Sequence, residues 1–134
     1  MVRNVLSLLF VVLLAGCGES SSEDTNQRLI DAFQEGRTGF WITAESSVRE
    51  VLGDETIGGK LHQKFSFQPA PNMTVQVRHS LADSQRVPVQ PGDAVRVQGY
   101  YQWDARGGFI SRTFLDPQQP GSGGWVEHDG SRYD

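Results

Sequence analysis

The sequence predicts an all-β fold: a small five-stranded barrel, preceded by a short helix and followed by an irregular, glycine-rich tail. Two observations lead to this prediction. Apolar and polar residues alternate over residues 61–67, 73–77 and 95–103, which is the period of a half-buried β-strand. Short runs of glycine, proline, asparagine and aspartate separate these stretches, as expected where the chain turns.

The helix is predicted near the start of the domain. Leu29, Ile30 and Phe33 form an apolar stripe at helical spacing. Gly36 follows the stripe and would end the helix, because glycine readily adopts the left-handed conformation that terminates helices. The stripe would dock this helix on the barrel.

Five strands follow the helix. The first begins near Gly39 and runs, with a bend, through Val51, and a turn is predicted at Gly53-Asp54-Glu55. Residues 61–67, 73–77, 95–103 and 109–115 supply the other four strands. The longest connection, over residues 80–90, separates the third strand from the fourth.

This order of strands is typical of the OB-fold, a small Greek-key barrel. The stretch from Pro91 to Gly99 resembles the start of the fourth strand of that barrel. Gly92-Asp93 would make the turn, and Gly99 would permit sharp coiling where a side chain would clash. SH3-like barrels use similar turns and remain the alternative.

The first seventeen residues have the form of an export signal. Arg3 supplies a positive start, a short apolar run follows, and the run ends at Leu14-Ala15-Gly16-Cys17. The apolar run is too short to cross a bilayer, which takes about 20 residues. Its last four residues closely resemble the bacterial lipobox, and Cys17 is the only cysteine in the chain. The alternative is an ordinary secretion signal, which would leave Cys17 as a free thiol.

The lipobox resemblance implies cleavage before Cys17, a diacylglyceryl group on its sulfur, and an acyl chain such as palmitate on its amine. The chain then divides into a signal peptide (1–16), a flexible tether that carries Cys17 (17–27), and a single domain that includes the tail (28–134). Gly18, rather than aspartate, follows Cys17. This favours a protein anchored in the outer membrane of the bacterial envelope and facing the periplasm.

Composition argues against several classes of function. The 134 residues include 12 lysines and arginines and 16 aspartates and glutamates, for a formal net charge of −4. An acidic, exported chain is a poor general nucleic-acid binder, so no nucleic acid is expected as a partner. The single cysteine excludes an internal disulfide.

No catalytic residue, metal or cofactor is predicted. The chain lacks a Gly-x-Ser-x-Gly elbow and a Walker-type phosphate loop. Its three histidines, His62, His79 and His128, do not stand at metal-binding spacing. A metal held by His79, Asp116 and His128 is the minor alternative.

Several short stretches and single residues stand out along the domain: His62-Gln63-Lys64-Phe65, 75–79, 86–93, 99–103, 107–110, Asp116-Pro117, Gly124-Trp125-Val126, His128, Gly130 and Tyr133. Through these stretches, residues 38–133 resemble a family of small exported bacterial proteins with an OB-like domain and no established function. The family carries one pair of histidines before the Asp-Pro and another before the Gly-Trp. Here Phe114-Leu115 and Gly121-Ser122-Gly123 occupy those places, so any chemistry of those histidines does not carry over.

The outward face of the second and third strands is predicted to bear a basic strip, formed by His62, Lys64 and Arg78 together with Ser66, Thr74 and Gln76. OB barrels bind ligands across these strands and the flanking loops. His79 and Arg86 would lie at the rim near Asp116. A pocket containing the indoles of Trp125 and Trp103 would hold a sugar ring, because apolar sugar faces stack on indole. The alternatives are a solvated sheet face, a histidine bonded to backbone, and a tail that only covers the core.

Three functions follow from these features. The favoured one is a membrane-anchored, non-enzymatic module that binds an anionic envelope ligand, such as a lipid phosphate or a glycan acid, or a protein partner. A nuclease-like hydrolase is the second, since OB barrels host such chemistry. A structural lipoprotein without a ligand is the third.

Overall fold

The computed structural model describes residues 22–119 and 121–134, so the predicted signal peptide, Cys17 and the first part of the tether lie outside it. No helix in this part of the chain is both long and apolar enough to span a membrane. The elements are α1 (Ser22–Glu35), β1 (Phe40–Ser47), β2 (Glu50–Ile57), β3 (Lys60–Ala70), β4 (Met73–Ser80), β5 (Ala94–Gln102), β6 (Phe109–Ser111), β7 (Trp125–His128) and β8 (Ser131–Tyr133).

The strands form one curled sheet, and the predicted all-β barrel is confirmed. The order is β2-β3-β4-β6-β5-β7-β8, and β1 pairs with the other edge of β5. The β4–β6 pair is parallel and the other pairs are antiparallel. The predicted bent first strand corresponds to β1 and β2, which are separated only by Val48 and Arg49. Because β1 pairs with β5 and β2 with β3, this bend joins the two ends of the sheet, as in an OB barrel.

The barrel interior is filled mainly by the inward residues of β3, β4 and β5. Phe65, Val75, Val77, Val97 and Tyr101 have no exposed surface. They belong to one continuous cluster of buried apolar side chains, which supplies the main driving force for folding.

Helix α1 adds its apolar stripe to this core. Leu29 and Ala32 are fully buried, while Ile30 and Phe33 pack against the core from its margin. The helix ends as predicted: Gly36 has a φ of 67° and its amide bonds to the carbonyl of Phe33. It begins earlier than predicted, at Ser22, so the second half of the predicted tether is helical.

The predicted turn at Gly53-Asp54-Glu55 is wrong. Strand β2 continues to Ile57, and residues 53–54 form a bulge in its pairing with β3. The chain turns instead at Gly58-Gly59, where φ is 59° and 80°. A two-residue hairpin turn of this kind needs positive φ at both positions, which glycine adopts without a steric cost.

The tail was predicted to be irregular, but its last ten residues contain the two short strands β7 and β8. Strand β6 pairs only with residues 100–102 of β5, which leaves residues 95–98 of the same edge open. Strand β7 pairs with this open stretch and then returns as β8 through Asp129-Gly130. The tail thereby covers an edge that would otherwise expose unpaired backbone groups.

Two buried polar side chains hold the long connection between β4 and β5. The side chain of Gln63 donates to the carbonyl of Val87 at 2.6 Å and accepts from the Val87 amide at 2.8 Å. His79 contacts the carbonyl oxygen of Gln85 at 2.8 Å. Gln63 is the polar residue on the apolar face of its strand, and it satisfies a stretch of backbone that has no strand partner of its own.

Gly99 has the role that the sequence predicted for it. A Cβ atom there would lie 2.5 Å from both the Ile110 side chain and the Ser111 carbonyl oxygen. The missing side chain therefore lets β6 lie close against β5.

We expect Gly99→Ala to destabilise the domain by about 1–3 kcal/mol, because the added methyl group overpacks the β5–β6 contact. Gly53→Ala is the matched control, since a Cβ there meets nothing within 4 Å and its φ is not positive. It should change stability by less than about 1 kcal/mol. Urea denaturation of the two full-length variants measures both values, and equal stabilities would contradict the assigned role of Gly99.

Candidate functional site

The register of β3 and β4 brings the basic strip together on the outer face. Lys64 lies opposite Arg78, and His62 lies opposite Ser80. The Nζ of Lys64, however, lies 2.7 Å from the Glu55 carboxylate, and its side chain is only 16% exposed. The hydrogen bond from Lys64 lowers the pKa of Glu55. Lys64 therefore has a partner within the fold.

Arg86 is also paired. Its guanidinium binds the carboxylate of Asp54 with two hydrogen bonds, a bidentate arrangement. This hydrogen bonding lowers the pKa of Asp54 and raises that of Arg86. The pair joins the β4–β5 connection to the bulge of β2.

His79 is fully buried rather than exposed at the rim. Its Nε2 lies 2.8 Å from the Gln85 carbonyl oxygen and its Nδ1 lies 2.6 Å from the Thr113 hydroxyl. Because a carbonyl oxygen only accepts, we assign the proton to Nε2, and Nδ1 then accepts from Thr113. Burial lowers the pKa of His79, although the hydrogen bond to Gln85 opposes this shift. His79 is thus a neutral histidine bonded to its surroundings.

Trp125 packs between charged side chains in the tail. It is 7% exposed, and the guanidiniums of Arg132 and Arg96 lie 4.4 Å and 5.2 Å from its ring. Trp103, which the sequence suggested as its companion in a sugar pocket, instead stacks on Phe33 of α1 and donates to the Phe33 carbonyl. The two indoles have separate surroundings.

The residues considered for metal binding, His79, Asp116 and His128, each bond to a different part of the fold. Asp116 accepts a hydrogen bond from the Gln118 amide and stabilises a turn. His128 Nε2 lies 2.8 Å from the Asp93 carboxylate, and this bond lowers the pKa of Asp93. Across residues 22–119 and 121–134, no group of three or more His, Cys, Asp and Glu side chains has the geometry of a metal site.

An open groove of about 530 Å³ lies beside the basic strip, between the β2–β3 hairpin, β4 and β6. We call it the basic groove. Its lining includes four basic side chains and two aromatic ones: Lys60, His62, Arg78, Arg112, Phe109 and Phe114. Of these, the sequence had pointed only to His62 and Arg78.

The charges of the basic groove are only partly neutralised. Lys60 pairs with Asp83, the acidic residue of the lining, at 2.9 Å. Hydrogen bonds from Ser80 and Lys60 lower the pKa of Asp83, so this carboxylate stays ionised. Arg78 and Arg112 form no ion pair with a carboxylate among the described side chains, and in this sense their charges are uncompensated, although the charge of Arg78 contributes to the lowered pKa of Glu55.

Aromatic rings hold both arginines. The guanidinium of Arg78 lies 3.8 Å from the centre of the Phe109 ring, and its Nε donates to Gln76 at 2.8 Å. The guanidinium of Arg112 lies 4.8 Å from the centre of the Tyr100 ring. Such contacts stabilise a cation and leave guanidinium N–H groups available to an incoming anion.

The backbone of Arg112 is in an uncommon conformation. Its φ is 54°, in the left-handed region that non-glycine residues rarely adopt. Neighbouring contacts impose this conformation: Thr113 is fully buried and bonded to His79, and Gly124 donates its amide to the Phe114 carbonyl. The buried histidine therefore positions the segment that presents Arg112. Backbone strain of this kind tends to mark sites of function.

Another groove of similar size, about 510 Å³, lies between β5 and the β7–β8 hairpin. The arginines of this groove form ion pairs within it, because Arg132 and Arg96 both pair with Glu127. Its lining also includes Glu45 and Asp129. The basic groove is the better candidate site, since it combines uncompensated cations with aromatic side chains.

The lowered pKa of His79 predicts a pH-dependent stability. The unfolded chain takes up a proton near the ordinary pKa of 6.5, whereas the folded chain does so only at lower pH. Stability is therefore complete above about pH 6.5 and falls as the pH drops below it. We expect His79→Gln to be less stable overall and to lose this slope between about pH 6.5 and 5. Denaturation at a series of pH values tests this, and the other histidines are common to both proteins. Equal slopes would contradict the assignment.

Comparison with known proteins places the chain in a family. No curated protein matches it. Residues 11–134 match a family model described as "Protein of unknown function (DUF3465)". Since the match extends over most of the chain and all of the barrel, this protein belongs to the DUF3465 family.

Proposed function

We propose that this protein is a lipid-anchored module of the bacterial envelope that binds an anionic ligand in the basic groove without transforming it. One observation carries the proposal: Arg78 and Arg112 line a groove on an acidic protein, and neither has a carboxylate partner among the described side chains. Lys60, Lys64 and Arg86, by contrast, are each paired with a carboxylate. Two uncompensated guanidiniums at one place are suited to an anion.

The groove has the chemistry of a binding site of moderate affinity. A hydrogen bond to a charged group contributes about 1.5–3 kcal/mol, and each guanidinium provides several donors. The Lys60–Asp83 pair at the margin would disfavour ligands without enough negative charge to compete with Asp83. The site is open, so its affinity should weaken as salt rises.

The anchor is proposed from the N-terminal residues. The short apolar run, the small residues before Cys17 and the absence of any other cysteine support lipidation of that sulfur. Helix α1 begins at Ser22, five residues along the chain from Cys17, and a chain of that length reaches at most about 18 Å. A lipid on Cys17 would hold the barrel close to the bilayer, and Gly18 favours the periplasmic face of the outer membrane.

We expect full-length protein expressed in a bacterium with an outer membrane to carry lipid on Cys17. The Cys17→Ser variant should stay uncut by the lipoprotein pathway or appear in the soluble fraction. Because Cys17 is the only cysteine, a thiol-specific label reports on it alone, and the denatured mature protein should take up no label. An unmodified Cys17 thiol in the mature protein, detected by mass spectrometry, would disprove the anchor.

The groove is tested by retention on phosphocellulose, an immobilised anion, with the full chain in non-ionic detergent. A net charge of −4 disfavours retention, so any binding reports a local basic site. We expect the double variant Arg78→Gln/Arg112→Gln to elute at clearly lower salt than wild type, because both uncompensated guanidiniums are lost.

The matched control is Arg28→Gln/Arg49→Gln, which removes the same charge from exposed positions outside the groove. It should elute close to wild type. If both double variants elute together, the groove is not an anion site, and a structural lipoprotein without a ligand becomes the better description.

A further inference from the structure

The basic groove continues into an exposed aromatic surface, which we call the aromatic shelf and define as Trp41 and Tyr100. The two rings meet edge to face with their centres 5.8 Å apart, and Trp41 is 44% exposed. Arg112 links shelf and groove, since it lines the groove and lies over the Tyr100 ring. The contact of Trp41 with Tyr100, that of Tyr100 with Arg112, and the position of Arg112 in the groove together form one continuous path on the outer face of the barrel.

The strand register gives the direction of this path. Trp41 lies opposite Tyr100, and Tyr100 lies opposite Ser111. One step beyond the Val77–Ile110 pair, the same register brings Arg78 beside Ser111. The path therefore crosses β1, β5, β6 and β4 at right angles to the strands. At a strand spacing of 4.7–4.9 Å, it extends roughly 14 Å from Trp41 to Arg78.

We propose that the aromatic shelf is a second subsite of the basic groove, and that the ligand is an acidic polysaccharide whose sugar rings carry carboxylates. This inference rests on the proposed function and names its ligand. A carboxylate would bind Arg112 and Arg78, and a neighbouring ring would lay its apolar face on the indole of Trp41. A small anion would fill only the groove, so the exposed indole favours a chain of linked rings.

A single-stranded nucleic acid would also be anionic and carry flat rings, but this surface suits it less well. Base-stacking sites need aromatic rings with open faces along the strand. Here Arg78 covers the Phe109 ring at 3.8 Å, and Arg112 and Trp41 occupy the surroundings of Tyr100. Among the described residues of this path, Trp41 is the large ring that stays exposed. Asp83 and the net charge of −4 would also repel a strand with one phosphate per nucleotide.

The test is calorimetric titration of the full chain in non-ionic detergent with oligogalacturonate. The matched ligand is the same oligosaccharide with methyl-esterified carboxyls, which keeps the rings and removes the charge. We expect the esterified ligand to bind at least about tenfold more weakly, which corresponds to one lost charged hydrogen bond. Galacturonate monomer should bind more weakly than the oligomer, because it cannot reach both subsites.

Two variants test the path itself. Trp41→Leu keeps an apolar side chain but removes the indole, and it should weaken oligogalacturonate binding roughly 3- to 10-fold. Trp103→Leu is the matched control, because Trp103 is 41% exposed but packs against α1. It should leave the affinity unchanged. Arg112→Gly should weaken binding about tenfold or more. Its melting temperature should not fall, since glycine adopts the φ of 54° without strain.

The outcomes separate this inference from the proposed function. If Arg112→Gly weakens binding but Trp41→Leu does not, the shelf is no subsite and only the groove remains. If oligogalacturonate does not bind while the groove still governs retention on phosphocellulose, the ligand class is wrong. Tighter binding of a single-stranded DNA oligonucleotide, dependent on Trp41, would replace the polysaccharide with a nucleic acid. If the groove governs neither measurement, both proposals fail.

Discussion

The pairing of β5 is the constraint on which the rest of this structure depends. One edge of this strand pairs with β1 over residues 94–101, and the other edge pairs first with β7 and then with β6. The close approach of β6 requires Gly99, because any Cβ there would clash with Ile110 and the Ser111 backbone. Through β6 the sheet continues into β4, so the closure of the barrel and the position of the groove both follow from this strand.

A single buried histidine connects the core to the surface. His79 bonds to Gln85 on one side and to Thr113 on the other, and in this way it joins the β4–β5 connection to the segment after β6. Arg112 precedes Thr113 in a left-handed conformation that an isolated chain would seldom adopt. The hydrogen bonds of the interior thus maintain a strained backbone at the margin of the groove, and this arrangement places a guanidinium over Tyr100.

Charge pairing decides which part of the basic surface is available to a ligand. The basic residues of the predicted strip lie on neighbouring strands, as the register of β3 and β4 shows. The charge of Lys64, however, is neutralised by Glu55. Arg86 is similarly held by Asp54. The uncompensated charge lies at Arg78 of the same strip and at Arg112 just after β6, where aromatic rings rather than carboxylates contact the guanidiniums. Ion pairs and cation–π contacts have opposite consequences for a ligand, since only the first cancels the charge that attracts it.

The sequence by itself determined the fold class, the positions of β3, β4 and β5, and the role of Gly99 in their packing. Strict alternation in β5 reports which face is buried, and this local pattern needs no knowledge of the partners. In β3 the alternation holds except at two positions, because Ser66, assigned to the outer face, is buried and Leu61, assigned to the inner face, is 46% exposed. The apolar stripe of α1 and its glycine end were equally local signals. His62 and Arg78 were found because alternation assigns a face to every residue of a strand.

Only the tertiary structure decided the rest, because it depends on contacts between residues far apart in the chain. The hairpin turn moved to Gly58-Gly59 because a bulge lets β2 continue past Gly53, and a bulge is set by the pairing with β3. Strands β7 and β8 are too short to show a period, and they form because β5 has an open edge. Arg112 and Trp41 join the site through a parallel pairing and a register that no spacing along the chain reveals. The same contacts between distant residues decide whether a basic side chain pairs with a carboxylate or packs on an aromatic ring. That difference distinguishes the basic groove from the rest of the basic surface.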